Sequence, residues 1–163
     1  MKQISLIALA VALLPGMAAA SSKTGQGHAD AKIVTPVKIE EDQHLNFGTM
    51  TGETGTVTID HADGRTSTSQ NLVSDSNTPK SGQITITGPK GHAITIGVPA
   101  TTSVQLDGGS ATMPVTDLNL DSTSGTLDPS TGKMTVKVGG KLGVSDNQEE
   151  GDYHGTYTIT VTY

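Results

Sequence analysis

The sequence predicts an all-β protein, an antiparallel β-sandwich built from short strands. Apolar and polar residues alternate in most of the apolar segments, which is the period of a strand with one buried face. Twenty glycines and seven prolines separate these segments, and abundant Thr and Val suit pleated strands. A helical bundle is therefore not expected.

The composition limits both the core and the chemistry. The 163 residues include one Phe, three Tyr, no Trp and no Cys, so the core must be built from Val, Ile, Leu and Met. Without cysteine the chain forms no disulfide, thiol nucleophile, cysteine-ligated zinc site or iron–sulfur cluster. The net charge of -6 argues against nucleic acid as a partner, because a basic face is needed to neutralise phosphates.

Residues 1–20 have the pattern of a secretory signal peptide. Lys2 is their only charge, an apolar run from Ile4 to Leu14 follows, and residues 18–20 are small alanines suited to a cleavage site. The apolar run is shorter than the roughly 20 residues that a membrane-spanning helix needs. We therefore expect an exported chain that is cleaved near residue 20.

The next segment divides into a polar leader and a first predicted strand. Residues 21–30 have no period, which predicts a mobile leader in front of a single β-sandwich domain over residues 31–163. Pro36 cannot donate a ladder hydrogen bond, so the first strand is expected at a sheet edge or across a switch between sheets. One face of that strand carries Ala31, Ile33, Thr35, Val37 and Ile39.

Short strands separated by turn residues fill the middle of the chain. GTVTI at 55–59 is closed by the DHADG turn at 60–64, and a long loop rich in Ser and Thr is expected over 65–81. Alternation around Ile84 and Ile96, on either side of a GPKG turn, predicts a hairpin. Further alternation predicts the remaining strands, whose apolar residues are Val104, Leu106, Met113, Val115, Met134, Val136, Val138, Leu142 and Val144.

The last segment is the clearest predicted strand. Aromatic and branched residues in such a strand pack inward, and the threonines between them face solvent. The inward face of residues 153–163 carries Tyr153, Gly155, Tyr157, Ile159, Val161 and Tyr163.

Few polar residues have the spacing of an active site. The five histidines include no pair at metal-ligand spacing. Asp117, Asn119 and Asp121 resemble the start of a calcium loop that lacks its glycine and glutamate, and an acidic outer strand face is the plainer interpretation. Carboxylates of the 149–152 loop could converge with distant ones, as in a hydrolase. We nevertheless predict a non-enzymatic protein with no catalytic residues, no metal and no cofactor.

Several segments resemble known families. LNFG at 45–48, GTVTI at 55–59, VGGKLGV at 138–144 and the ending GDYHGTYTITVTY are similar to an uncharacterised family of secreted bacterial β-sandwich domains. The chain also resembles the archaic chaperone-usher pilins, including the spore-coat-protein-U-like subunits, which carry LNFG near the start and end in a GxY strand. This resemblance is strongest at the two ends of the exported chain.

The resemblance to pilins implies an immunoglobulin-like sandwich that lacks one strand. Its groove exposes unpaired backbone groups and apolar side chains, and the apolar surface costs about 25 cal/mol per Å² when left in water. A periplasmic chaperone first supplies the strand, and the N-terminal extension of the next like subunit then replaces it at an outer-membrane usher. The resemblance therefore implies a structural subunit of a surface fibre or pilus, found in the periplasm and then in a fimbrium at the cell surface.

The same resemblance assigns residues to the groove and to the donated strand. The donor residues would be those of the first predicted strand, from Ala31 to Ile39. The alternative is that this segment is the domain's own first strand, which would make the protein a self-contained secreted or periplasmic binding module. The absence of cysteine departs from related subunits, which commonly hold their first strand by a disulfide. The groove strand that meets the chaperone or donor would carry Tyr153, Tyr157, Ile159, Val161 and Tyr163.

Overall fold

The computed structural model describes residues 21–67 and 72–163, and the predicted signal peptide lies outside these residues. The chain divides into two units, residues 1–32 and residues 33–163. The described part of the first unit, residues 21–32, is exposed throughout and has no regular structure. Among the described residues, no helix is long and apolar enough to cross a membrane.

The second unit is an antiparallel β-sandwich, which confirms the fold class predicted from the alternating apolar residues. Its regular elements, within the described ranges, are all strands. In chain order they are β1 (Lys38–Gln43), β2 (Gly55–Ile59), β3 (Arg65–Ser67), β4 (Gly82–Thr87), β5 (Ala93–Gly97), β6 (Thr102–Leu106), β7 (Thr112–Leu120), β8 (Ser124–Thr126), β9 (Lys133–Val144), β10 (Tyr153–His154) and β11 (Thr160–Thr162).

The strands form two antiparallel sheets. The larger sheet has the order β1-β4-β9-β7-β6-β10, and β2 lies between β9 and β3. The smaller sheet has the order β11-β5-β8. β9 organises the larger sheet, because its 12 residues pair first with β4 and then with β2 along one edge, and with β7 along the other.

Side chains from both sheets meet in one core, which is almost entirely aliphatic as predicted. Ile84 and Ile86 enter it from the larger sheet, and Ile94 and Ile96 enter it from the smaller one. Phe47, which is 9% exposed, is the one aromatic residue among the buried core residues in the described ranges. The core therefore contains little more than branched aliphatic side chains, which supply about 1.5–3 kcal/mol each when fully buried.

The prediction of a hairpin across the GPKG turn is wrong. β4 pairs with β1 and β9, whereas β5 pairs with β11 and β8 in the other sheet. The turn between them is a corner of the sandwich, held by hydrogen bonds from Gly88 N to Gly132 O at 2.9 Å and from Gly91 N to Leu127 O at 3.1 Å. Alternation and turn residues look the same whether the next strand pairs with its neighbour or crosses to the opposite sheet.

The first strand begins later than predicted. Residues 31–37 form no ladder, and β1 starts at Lys38, where Ile39 pairs with Ile86. Pro36 removes a backbone donor just before the strand, which explains why the ladder begins only after it. The boundary separates the predicted donor residues into an unpaired part before Lys38 and a paired part after it.

The predicted turn at 60–64 connects β2 to β3 and carries an anchor for β4. Asp63 has a φ of 63°, a left-handed conformation that Asp and Asn tolerate better than most residues. Its Oδ1 accepts hydrogen bonds from Ser81 N at 2.8 Å and Ser81 Oγ at 2.7 Å. These two hydrogen bonds, helped by Lys137 and Lys80, lower the pKa of Asp63 from 3.8 to about 2. Ser81 itself is fully buried.

We expect Asp63 to stabilise the fold at neutral pH more than Asn would, and to lose this advantage in acid. A carboxyl group whose pKa is lowered by folding stabilises the folded state above its unfolded pKa, and this contribution disappears as the pH falls from about 4 to about 2. Urea unfolding of the wild type and of Asp63→Asn should therefore give free energies that converge over this range. A constant difference from pH 7 to pH 2 would contradict the role of the charge.

Candidate functional site

Among the described residues, five strands have one edge without a ladder partner, namely β1, β3, β8, β10 and β11. β1 pairs only with β4 in the larger sheet, and β11 pairs only with β5 in the smaller sheet. Unpaired backbone N–H and C=O groups on such edges can accept a further strand. β1 and residues 155–159, which precede β11, line one groove.

The groove has a volume of about 1280 Å³ and an apolar floor. β1 contributes Ile39 and Glu41 to its walls, and the C-terminal segment contributes Tyr157 and Ile159. Ile39 is 41% exposed, which is unusual for a large aliphatic side chain that lies beside the core. The floor consists of side chains from four strands of the larger sheet, namely Ile84, Val104, Met113, Leu142 and Val144.

The last segment of the chain is split, although a single strand was predicted. β10 pairs with β6 in the larger sheet, and β11 pairs with β5 in the smaller one. Residues 155–159 between them form no ladder and run along the groove. Tyr157, Ile159 and Val161 are half-buried and the threonines between them are exposed, as the alternation predicts, whereas Gly155 and Tyr163, predicted on the same inward face, are exposed.

The five predicted groove residues have different surroundings. Tyr153, Tyr157 and Ile159 line the groove. Val161 packs against the core, and Tyr163 is 56% exposed after the end of β11. The hydroxyl of Tyr153 donates to Glu149 O at 2.8 Å and accepts from Gln148 Nε2 at 2.9 Å, which holds the loop before β10 against the groove.

Gly155 brings the C-terminal segment into close contact with β6. A Cβ atom at this position would lie 2.3 Å from Ser103 O and 3.0 Å from Val104 Cα, and both are backbone atoms. Next to it, the hydroxyl of Thr102 donates to Thr156 O at 2.7 Å. The glycine of the GxY ending is therefore required because no side chain fits between the two backbones.

Tyr157 extends from the C-terminal segment to the start of β4. A Cβ atom at Gly82, the first residue of β4, would lie 2.8 Å from the Tyr157 hydroxyl. This hydroxyl is buried and has no hydrogen-bond partner among the described residues. Burial, and then the charge of Glu41, raise the pKa of Tyr157 to about 12, so the phenol stays protonated.

The LNFG motif closes one end of the groove. Leu45 faces the groove, Phe47 enters the core, and Asn46 fixes the corner by donating to Asn77 Oδ1 at 2.7 Å and accepting from Gly48 N at 2.9 Å. Arg65 lies across this corner, where its guanidinium donates to the carbonyl oxygens of residues 47, 49 and 73. The motif therefore has a structural role beside the groove.

Acidic side chains also line the groove. They are Glu41, Glu149, Glu150 and Asp152, and His44 Nδ1 lies 2.9 Å from Glu41 Oε2. Within the part of the chain that the structure describes, no three His, Cys, Asp or Glu side chains are grouped closely enough to hold a metal ion. The site is thus a groove with an apolar floor and several acidic side chains in its lining.

The predicted donor residues change character at the start of β1. Ala31, Ile33 and Thr35 are exposed and unpaired, and Ile33 is 97% exposed. Val37 is half-buried and packs against the core, and Ile39 belongs to β1. The exposed residues of this segment are therefore available to another molecule, whereas Val37 and Ile39 are part of the sandwich.

Comparison with protein families gives a domain boundary close to the start of β1. The model of a domain of unknown function, DUF4402, matches residues 37–163. The chain belongs to the DUF4402 family. Comparisons with curated proteins and with solved structures gave no match. The matched region begins just before β1, so the exposed residues 21–36 precede the DUF4402 domain.

Sequence reasoning missed part of the groove. Glu41 and the loop at 148–152 were not expected to form its walls, and Ile39 was grouped with the donor residues. The turn residues directly before Tyr153 could have indicated that the 148–152 loop lines the groove, because a loop that immediately precedes a groove strand lies beside the end of that strand. No sequence pattern indicated that Gly82 faces the Tyr157 ring.

Proposed function

We propose that this protein is a structural subunit of a bacterial surface fibre, assembled by strand donation in the manner of a pilin. The observation that carries the proposal is the apolar groove lined by β1, which has a free edge, and by residues 155–159, which form no ladder. A strand placed there would pair with the free edge of β1 and cover the apolar floor. In this proposal the exported chain meets a periplasmic chaperone, an outer-membrane usher and like subunits, and it ends at the cell surface.

The exposed N-terminal segment has the properties of the donated strand. Residues 31–36 precede the DUF4402 domain, have no ladder of their own and would span about 20 Å when extended. Ile33 is the large apolar side chain on the inward face of this segment and is almost fully exposed. Moving Ile33 from water into the groove of a second copy would bury apolar surface on both molecules.

A pair of variants tests the donation. Ile33→Asp should prevent fibre formation, because it places an unpaired charge in the apolar groove of the next subunit. Val34→Asp is the matched control, because Val34 is the adjacent exposed residue and faces the other side of an extended strand. Surface material from cells should show a ladder of bands in unheated detergent for Val34→Asp and a single band for Ile33→Asp.

The same variants distinguish a donated N-terminal segment from one that is the first strand of its own domain. Both purified variants should melt at the wild-type temperature, because both residues are exposed in the subunit. A ladder for Ile33→Asp equal to that of the wild type would contradict the proposal. Unfolding of Ile33→Asp alone would show that the segment is part of its own sandwich.

One observation favours the alternative of a self-contained binding module. β1 already pairs with β4 over most of its length, so the sandwich has a first strand of its own. A groove of this volume would then take a ligand rather than a strand. A purified protein that remains monomeric at high concentration, and that binds neither its own N-terminal peptide nor a second copy, would support this alternative.

The acidic residues in the groove lining leave a carboxylate-based hydrolase as the third alternative. Glu41 and Glu150 line the same groove from two different segments, as the paired carboxylates of such enzymes do. Hydrolysis of a glycan by the purified protein, lost in both Glu41→Gln and Glu150→Gln, would support catalysis. Activity that survives both substitutions would assign it to a contaminant.

A further inference from the structure

Charge is distributed unevenly along the chain. The matched region, residues 37–163, contains 15 Asp and Glu against seven Lys and Arg, which gives it a net charge of -8. The exposed residues 21–36 contain Lys23, Lys32 and Asp30 and have a net charge of +1. Two DUF4402 domains therefore carry like charge, whereas the N-terminal segment of one copy and the domain of another carry opposite charge.

The lining of the groove has the same sign of charge as the rest of the domain. Among the described residues, four carboxylates line the groove and no Lys or Arg does. The two histidines of the lining are His44 and His154, and His44 Nδ1 lies 2.9 Å from Glu41 Oε2. At neutral pH the groove therefore favours a cationic occupant over an anionic one.

Three of the four carboxylates lie on the loop directly before β10. Glu149, Glu150 and Asp152 are exposed, whereas the floor of the groove is apolar. The loop is held in place, because Asp152 O accepts a hydrogen bond from Asp107 N at 2.9 Å and Glu149 O accepts one from the Tyr153 hydroxyl at 2.8 Å. An occupant of the groove thus meets an apolar floor together with negative charges that remain in water.

We propose that Lys32 of a second copy is attracted to the carboxylates of this loop and guides the donated segment into the groove. This inference rests on the proposed function and identifies what directs the segment to its binding site. Lys32 is exposed and directly precedes Ile33, so the two side chains face opposite sides of an extended strand. When Ile33 contacts the apolar floor, Lys32 stays in water, and its flexible stem lets the ammonium group approach the exposed carboxylates.

Charges that remain in water act mainly on the rate of association. Each contact adds little to the affinity, because both partners stay hydrated. The combined field of the carboxylates nevertheless raises the rate at which a cationic segment meets the groove, by about tenfold or more at low salt. This field extends over about 10 Å at 0.1 M salt and about 3 Å at 1 M salt. Ile33, in contrast, buries apolar surface, which slows dissociation.

The kinetics of peptide binding to the purified protein test this role. A fluorescent peptide of residues 21–36 is the probe, because it lacks the acidic domain, whose repulsion would otherwise mask the attraction. Its association and dissociation rates are measured by stopped-flow anisotropy. Lys32→Glu in the peptide should slow association about tenfold at low salt, and dissociation should change by less than about twofold. At roughly 1 M salt the two peptides should associate at the same rate.

Lys23→Glu is the matched control in the peptide. It changes the net charge by the same amount as Lys32→Glu, but it lies ten residues before Ile33. Its effect on association at low salt should therefore be no more than about twofold, because screening weakens the attraction over such a distance. Ile33→Asp should instead speed dissociation at both salt concentrations.

Paired substitutions in the protein locate the charges that act on Lys32. Glu149→Gln with Glu150→Gln should reduce the tenfold difference between the wild-type and Lys32→Glu peptides to about threefold or less. Asp117→Asn with Asp121→Asn removes two exposed carboxylates outside the groove lining and should preserve the difference. Both double variants should melt close to the wild-type temperature, because all four side chains are exposed.

The results separate this role from strand donation itself. Equal effects of Lys32→Glu and Lys23→Glu, or an effect of Lys32→Glu that persists in high salt, would overturn the guiding role and leave strand donation intact. Equal effects of the two double variants of the protein would likewise overturn the assignment to the loop before β10. Absence of binding by the wild-type peptide at either salt concentration would overturn the guiding role and the proposed donation together.

Discussion

Ile159→Asp is expected to prevent the accumulation of folded protein. Ile159 packs against the core and lines the groove from the C-terminal segment, so a carboxylate there replaces apolar contacts on both sides. Losing these contacts and placing a charge beside the core should lower the free energy of unfolding by about 3 kcal/mol or more. The yield of exported protein and its urea midpoint measure this effect.

Thr160→Asp is the matched control for this prediction. Thr160 is the next residue in the chain, lies in β11 opposite Gly97 and is exposed on the outer face of the sheet. Its substitution should change the free energy of unfolding by no more than about 0.5 kcal/mol. Equal losses for the two variants would mean that the faces of the last strand have been assigned the wrong way round.

Gly155→Ala is expected to be comparably damaging through backbone displacement. The added Cβ atom would lie 2.3 Å from Ser103 O, and a backbone carbonyl in a paired strand cannot move aside as a flexible side chain can. The segment before Ile159 would have to leave β6, at a cost of about 3 kcal/mol, the upper end for overpacking. Thermal unfolding should show a melting temperature lower by about 10 °C.

Gly97→Ala is the control for Gly155→Ala. It distinguishes the loss of stability caused by the close contact at Gly155 from a general effect of replacing glycine in this protein. Gly97 is exposed in β5, and a Cβ atom there would meet nothing within 4 Å. Alanine should be neutral or slightly stabilising at this position, because glycine in a strand has excess conformational freedom in the unfolded chain. A similar loss of stability for both variants would contradict the argument from close contact.

The sequence predicted the fold class because the physical signal is local. Alternation at Val136 and Val138, and again at Tyr157, Ile159 and Val161, requires only that one face of each strand is buried. The aliphatic nature of the core also follows directly from composition, since the chain has one phenylalanine and no tryptophan.

The pairing of strands could not be predicted in the same way. Ile86 and Ile94 alternate on either side of a turn, yet β4 and β5 lie in different sheets. Which strands become neighbours depends on the packing of the whole core, and a local pattern carries no information about it. The late start of β1 is a smaller case. Alternation continues through residues 31–37, although these residues pair with no strand among those that the structure describes.

The candidate site was predicted in part. The last strand and the exposed segment before β1 could be singled out because both alternate strongly at the ends of the chain. The groove walls at Glu41 and the 148–152 loop, and the approach of Tyr157 to Gly82, depend on contacts between distant residues. Such contacts become visible only when the two sheets are placed together.

The small aliphatic core would favour assembly in the proposed fibre, because the groove leaves it incompletely covered. The core has no disulfide to reinforce it, and its opening leaves Ile39 and the Tyr157 ring partly uncovered. A donated strand would extend the core with Ile33 and pair with the free edge of β1. In the proposed fibre, each subunit would therefore be more stable inside the assembly than alone.

Surface material from cells that produce the wild-type protein provides the most direct test of strand donation. The material is sheared off, dissolved in detergent, divided into an unheated and a boiled sample, and compared on a gel with an antibody against this protein. We predict a ladder of regularly spaced bands without heating and a single band after boiling, because an inserted strand is released slowly. A single monomer band in both samples would contradict the account.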